Sequence, residues 1–483
     1  MSEFSQLLTE HIHQKDVRIY SLAEYCSTDR SLMYKIIRGK RMPASMKSVE
    51  RIAEFLRLTP SEEQELRTAY RISLQGRDNY YRRLDIMNFL DHFREILDPA
   101  ASSMPLGSFT SSDSPNIPLS TAYEVRQAAY TVINRLAEAD SPHLYLMLPP
   151  GSEFIGDLMI PLVKWKLSAS IDHIMCLNNT EQVTRENRNY NLHCLMNILP
   201  LCINGCSYQP YYYYDNINSR LDSFQLFPYL ILTESRAVLV SGDFNSGILT
   251  RQPDLLQLLK KIFSEYLSQA RPLLRMISNA AEQLSYVQEC ISTESGKEYL
   301  FQMTPCMTGL LSEDFLRKYI RTDVPQRELF IQNLLSHIKK VNQRHRKETV
   351  IHIFSEDGVE EFLKTGILEE YPSDIYQVPE PVDRLTLVRK FIDECRTGGY
   401  QIKMLRHNIG TVKNGANIYI TPNAGYLLFT PIDTSTPVYL NIQESGLTTA
   451  FWDFFESMDD SLFYSREEAI LRLDDLIRKY QII

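Results

Sequence analysis

No run of about 18 apolar residues occurs in the chain, and a membrane span needs one. Met1 to Ser5 opens no basic-plus-apolar leader, so a signal peptide is not expected either and a cytoplasmic location is. Eight cysteines lie scattered at positions 26, 176, 194, 202, 206, 290, 306 and 395. A chain this long needs no disulfide staples. Only Cys202 and Cys206, in CINGC, stand close together, and no second Cys or His pair at zinc spacing accompanies them. GxGxxG, Walker A and nucleophile-elbow motifs are all missing, and none of the ten histidines has a carboxylate or cysteine at a catalytic or metal spacing. No cofactor, no metal and no catalysis are therefore expected.

Charge is present but unevenly placed. The net charge is −9, yet residues 1–83 hold 15 Lys/Arg against 11 Asp/Glu, net +4, which leaves net −13 for residues 84–483. Only the front suits a polyanion. With 483 residues and 44% hydrophobic content, two to four domains are expected.

The basic front reads as five short helices. Phe4, Leu7, Leu8, His11 and Ile12 repeat at helical spacing. Ser21 with Glu24 forms a capping box that should start the second helix, and Asp29 should cap a third that stops at Gly39. At about 100° per residue, Arg30, Tyr34, Arg38, Ser31 and Lys35 fall on one polar arc, with Leu32, Met33, Ile36 and Ile37 opposite as anchors. A fourth helix follows Pro43, and Thr59 with Glu62 caps a fifth.

The stretch SLAEYCSTDRSLMYKIIRGKRMP resembles the helix-turn-helix of the XRE family, the phage-repressor and Cro-like regulators, over residues 4–72. Leu22-Ala23 match the family's second helix, and Gly39-Lys40-Arg41 with Pro43 match its exit, whereas Ser27 stands where the family has a turn glycine. The resemblance implies that Arg30, Ser31, Tyr34 and Lys35 meet base edges of double-stranded DNA. Arg38, Lys40 and Arg41 would complete the DNA face, with Lys40 and Arg41 on phosphates.

Residues 80–97 read as one more helix, and 99–118, rich in Pro, Ser and Gly, as a linker. Beyond it, helices and strands alternate, which indicates an α/β region. Hairpins at 228–241 and 417–429 match at an offset of 189, suggesting two related modules joined by a helical connector. The strand-hairpin-SGDFN order faintly resembles the phospholipase-D-like fold. Pro228, Leu230 and Ser235, and then Asn417, Tyr419 and Ala424, stand where that family's active members carry HxKxxxxD. Tyr211, Tyr212, Tyr213 and Tyr214 place two rings on each face of a strand, so they form either ordinary packing or, with Asp215, an aromatic ligand wall.

The expected architecture is multidomain: an all-α helix-turn-helix domain at 1–75, a helix and linker at 76–118, α/β module one at 119–275, a helical connector at 276–322 and α/β module two at 323–483. The expected function is a homodimeric, DNA-binding transcriptional regulator with a C-terminal region that oligomerises or senses a small molecule or peptide, without membrane contact. The alternatives are a nucleic-acid-directed phosphodiesterase-like enzyme and a non-catalytic scaffold.

Overall fold

The computed structural model describes residues 2–97, 114–138, 141–150, 158, 169–179, 189–203, 207–215, 226–277, 279–293, 296–347, 349–368, 370–409, 416–430 and 437–481. Its contacts divide into two compact units, one built on Met1–Asp85 and one on Ile86–Gln182 with Asn189–Ile483. No helix among the described residues is long and apolar enough to cross a membrane.

The first unit is helical: α1 (Glu3–Gln14), α2 (Ile19–Tyr25), α3 (Arg30–Ile37), α4 (Met46–Phe55) and α5 (Pro60–Gln75), followed by the start of α6 (Arg77–Asp91). Phe4, Leu8, Leu22, Val49, Ile52 and Leu66 meet in its core. Each such side chain contributes about 1.5–3 kcal/mol on burial. Capping residues set most of the helix starts. Asp29 accepts from the amides of Ser31 and Leu32, and Thr59 and Glu62 form the expected capping box. Two expectations need correction. The second helix begins at Ile19 rather than Ser21, with Arg18 as an N-cap that makes no side-chain bond. Leu32 is 40% exposed instead of packed, because α3 buries only the arc of Met33, Ile36 and Ile37.

The second unit begins within α6 and holds α7 (Phe93–Leu97), β1 (Asn116–Leu119), α8 (Ala122–Asn134), β2 (His143–Met147), β3 (Ser170–Asn178), α9 (Tyr190–Ile203), β4 (Ser207–Asp215), β5 (Tyr229–Leu232), β6 (Ala237–Val240), β7 (Gly247–Thr250), α10 (Pro253–Gln269) and β8 (Arg271–Pro272). It continues with β9 (Leu274–Ile277), α11 (Ala280–Thr293), β10 (Glu298–Phe301), α12 (Glu313–Tyr319), α13 (Arg327–Lys347), β11 (Val350–Ser355), α14 (Glu356–Thr365), α15 (Pro381–Thr397), β12 (Gln401–Leu405), β13 (Ala416–Ile420), β14 (Gly425–Phe429), β15 (Val438–Ile442), α16 (Ser445–Glu456) and α17 (Arg466–Gln481).

Two mixed sheets result, in the orders β1-β7-β6-β5-β2-β3-β4-β8 and β12-β11-β10-β13-β14-β15-β9. Read from β9, the second order repeats the first seven strands of the other, with the same parallel and antiparallel pairings. The stretch 276–322, expected to be a helical connector, therefore supplies β10 at the heart of the second sheet. The hairpin offset also shifts. Thr233 and Thr421 each donate their amide across a four-residue turn, to Arg236 O and Ala424 O at 2.8 Å in both cases, so the copies match at 188 rather than 189 residues.

Helix 80–97 breaks at His92 into α6 and α7. Its apolar side packs within the chain: Phe89 meets the Phe451 ring at 5.5 Å and Phe93 meets Phe429 at 5.4 Å. The linker 99–118 lies largely outside the described residues, and its last three positions belong to β1.

Candidate functional site

Sequence places α3 with one face in the core and one in solvent, and Asp29 fixes where it begins. The Asp29 carboxylate accepts from Ser31 N at 2.8 Å and Leu32 N at 3.2 Å. Between α2 and α3, Ser27 takes φ +49°, the left-handed conformation that glycine adopts at lower cost. Gly39 ends α3 at φ +69°, where a Cβ would lie 2.7 Å from Ser5 Oγ. Lys40 N and Arg41 N both donate back to Lys35 O, at 2.8 and 3.2 Å, which folds the exit loop onto the helix. Tyr70 anchors the far end of that loop by donating to Pro43 O at 3.0 Å.

This frame leaves Arg30, Ser31, Lys35, Arg38, Lys40 and Arg41 exposed and Tyr34 half-buried. The Arg30 and Arg38 guanidinium carbons lie 5.8 and 5.9 Å from the Tyr34 ring centroid. Elsewhere in the unit three cations are tied to carboxylates, Lys15 to Glu62, Arg67 to Glu50 and Glu63, and Arg77 to Glu3, whereas Arg18, Lys47, Arg51, Arg57 and Arg71 are dispersed and form no ion pair among the described residues. Arg30, Lys35, Arg38, Lys40 and Arg41 form no ion pair among the described residues. Five uncompensated charges thus share one surface with a hydroxyl and a phenol. Such a surface can donate to phosphate oxygens and to the acceptor edges of bases.

The four tyrosines of β4 divide as strand alternation requires. Tyr212 lies in the central core, while Tyr211 and Tyr213 pack against the smaller cluster built around Phe263. Tyr214 is 38% exposed and bonds to the Glu444 carboxylate. Asp215 ends the strand, half-buried.

A second group of residues, of which the sequence reading named only Tyr419 by its hairpin position, lies in the α/β unit. Glu298, Arg344, Glu370, Tyr419, Tyr426 and Tyr439 line a cavity of about 130 Å³ against the second sheet. Within it Glu298 is ion-paired with Arg344 and accepts from the Tyr419 hydroxyl at 3.0 Å. The signal lay in the hairpin comparison, but an offset wrong by one residue exchanges the two faces of every strand. Among the described residues no group of three or more His, Cys, Asp or Glu is placed to hold a metal ion. The described cysteines at 26, 176, 194, 202, 306 and 395 are free thiols.

No family model matches the chain. No curated protein matches it either. Among solved structures, TrmBL2, an archaeal chromatin protein that shows a novel mode of DNA binding, aligns at 10% identity over 42% of this chain and 70% of its own, with a TM-score of 0.21. Polyphosphate kinase from Porphyromonas gingivalis aligns at 11% identity over 76% of this chain and 56% of its own, with a TM-score of 0.21. Phosphatidylserine synthase from Haemophilus influenzae Rd KW20 aligns at 9% identity over 84% of this chain and 97% of its own, with a TM-score of 0.22. Likeness at these scores carries no argument about what this chain does.

Proposed function

We propose that this chain is a sequence-specific DNA-binding regulator of transcription, in which α2, the turn at Ser27 and α3 form a helix-turn-helix of the XRE type. The observation that carries this reading is the arc of five unpaired cations on and just after a short, capped helix. In this reading Arg30 and Lys35 donate to guanine O6 and N7, Ser31 and Tyr34 address bases or phosphates, and Arg38, Lys40 and Arg41 hold the backbone. One head spans a half-site, so a homodimer on half-sites about one helical turn apart is part of the proposal. The α/β unit acts in it as a sensing or oligomerising region without catalytic turnover.

The test selects duplexes from a random pool with the full chain, then measures binding by fluorescence anisotropy at fixed salt. Arg30→Ala with Lys35→Ala should cost about 1–3 kcal/mol for each base no longer read, with circular dichroism unchanged. Undiminished binding by the folded double variant overturns the assignment of α3.

A further inference from the structure

The two sheets repeat one lattice, and their matching faces have different chemistry. In the first sheet, Leu144, Ile231, Val238 and Leu249 lie fully within the central apolar core. Strand register and the two hairpin turns place Glu298, Tyr419, Tyr426 and Asn441 at the corresponding points of the second. Gly247 corresponds in the same way to Tyr439. An aliphatic face has thus become a carboxylate, three phenols and an amide, and a cavity of about 130 Å³ stands over it beneath α11 and α13.

The polar groups in that cavity are only partly satisfied by the protein. Glu298 has Arg344 as its counter-ion. Glu370 accepts from Gln302 Nε2 at 2.7 Å, Thr308 Oγ1 at 2.7 Å and Cys306 Sγ at 3.4 Å, but no Lys, Arg or His among the described residues lies within ion-pair distance of it. His337, 9% exposed, lines the same cavity, and its Nδ1 is buried with no hydrogen-bond partner. Burial holds this imidazole down to about 4, so it stands neutral at pH 7. The rings of Tyr419 and Tyr426 stack at 5.2 Å, and Tyr439 meets Tyr426 edge-on at 6.2 Å, which makes an aromatic corner. Burial, together with negative charge on Glu370, pushes the phenols of Tyr371, Tyr426 and Tyr439 up, so all three stay neutral.

A carboxylate with no counter-ion among the described residues, beside tyrosine faces, favours one kind of guest. A cation gains a charge partner there and is drawn to the ring faces. Size limits the guest as well, since an apolar cavity of about 150 Å³ accommodates benzene. We infer that this cavity binds a small organic cation, an ammonium group of about five to eight heavy atoms in all. Glu370 takes the charge, the tyrosine corner takes the faces of the cation, and the remaining wall of Leu300, Leu334 and Leu428 takes the apolar body. The inference deepens the sensing role proposed for this unit and rests on it only for coupling to DNA. Binding itself is measured with no DNA present.

The experiment is titration calorimetry on the full chain with three probes: benzylammonium, tetramethylammonium, and benzyl alcohol as the neutral shape match of the first. The expected result is at least about tenfold tighter binding of benzylammonium than of benzyl alcohol. Glu370→Gln should remove that preference while leaving the weak affinity for the alcohol. Should Glu370→Gln fail to fold, Val341→Phe, which fills the cavity from α13, should abolish ammonium binding. Equal affinity for benzyl alcohol overturns the inference, as does ammonium binding that survives either folded variant, or the absence of binding by both ammonium probes at about 10 mM. Ammonium binding that leaves DNA affinity unchanged retires the sensing role and keeps the site.

Discussion

Removing the Arg344 guanidinium while keeping an unbranched stem tests whether the Glu298 charge is held in place by its partner. Arg344→Met leaves Glu298, whose side chain is 4% exposed, with the Tyr419 hydroxyl and no cation at its carboxylate. Breaking one side of a buried pair costs about 3–5 kcal/mol. A stranded carboxyl can escape that cost by taking a proton. Protonating a group of ordinary carboxyl pKa costs about 4 kcal/mol at pH 7 and about 1 kcal/mol at pH 5. The penalty in the variant should therefore shrink from about 4 to about 1 kcal/mol between those pH values. The sign follows from linkage: a carboxyl whose pKa is raised by folding binds more protons in the native state, so stability falls as pH rises. The assay is urea unfolding followed by Trp452 fluorescence in a Trp165→Phe background. Trp452 donates its indole N–H to Lys297 O at 3.2 Å, one residue from Glu298. A loss below about 1 kcal/mol at pH 7, or a loss that does not change with pH, refutes the reasoning.

In the helical unit, Asp29→Ala removes two amide bonds at the start of α3 and should cost about 1 kcal/mol, read as faster hydrogen exchange of the Ser31 and Leu32 amides. Ser27→Gly should slow exchange in α2 and α3 by relieving up to about 1 kcal/mol of left-handed strain, and Gly39→Ala should accelerate it, since its Cβ meets Ser5 Oγ. Lys40→Ala with Arg41→Ala should weaken DNA binding alike for all sequences and reduce the slope of log K against log salt by about 2. His173 is fully buried between Leu148 O and the Tyr208 hydroxyl and is held down to about 4 by burial. The unfolded chain therefore binds the extra proton between about pH 6.5 and 4. Roughly 3 kcal/mol of stability should be lost as pH falls through that window, and His173→Asn should flatten the loss in acid unfolding curves.

Local signals in the sequence mapped onto the structure where a single residue type has a single mechanical use. Asp29, Thr59 with Glu62, and Gly39 each announced a helix end, and each is found there. Ser21 misled because a capping box is a bid for orphan amides, and α2 had already begun two residues earlier. Leu32 misled because it lies at the edge of the arc that Met33, Ile36 and Ile37 bury, about 40° beyond Ile36 at about 100° per residue. The second sheet's partners were illegible for another reason. Glu298 pairs in sequence with nothing near it, and its ion pair with Arg344 exists only because β10 lies in the sheet under α13.

The repeated lattice sets different rules of descent for its two copies. Leu144, Ile231, Val238 and Leu249 lie within a core shared with α8, α9 and α16, so a polar atom introduced at any of them strands in hydrocarbon at a cost of a few kcal/mol. Of their counterparts, Glu298, Tyr419 and Tyr426 border open volume, Asn441 bonds to Gln283 at its wall, and all four already carry polar atoms. Selection can vary those four without dismantling the fold, provided that Glu298 changes together with Arg344. Across an assortment of descendants of this chain, the first set should stand still while the second drifts with whatever small molecule each lineage has come to recognise.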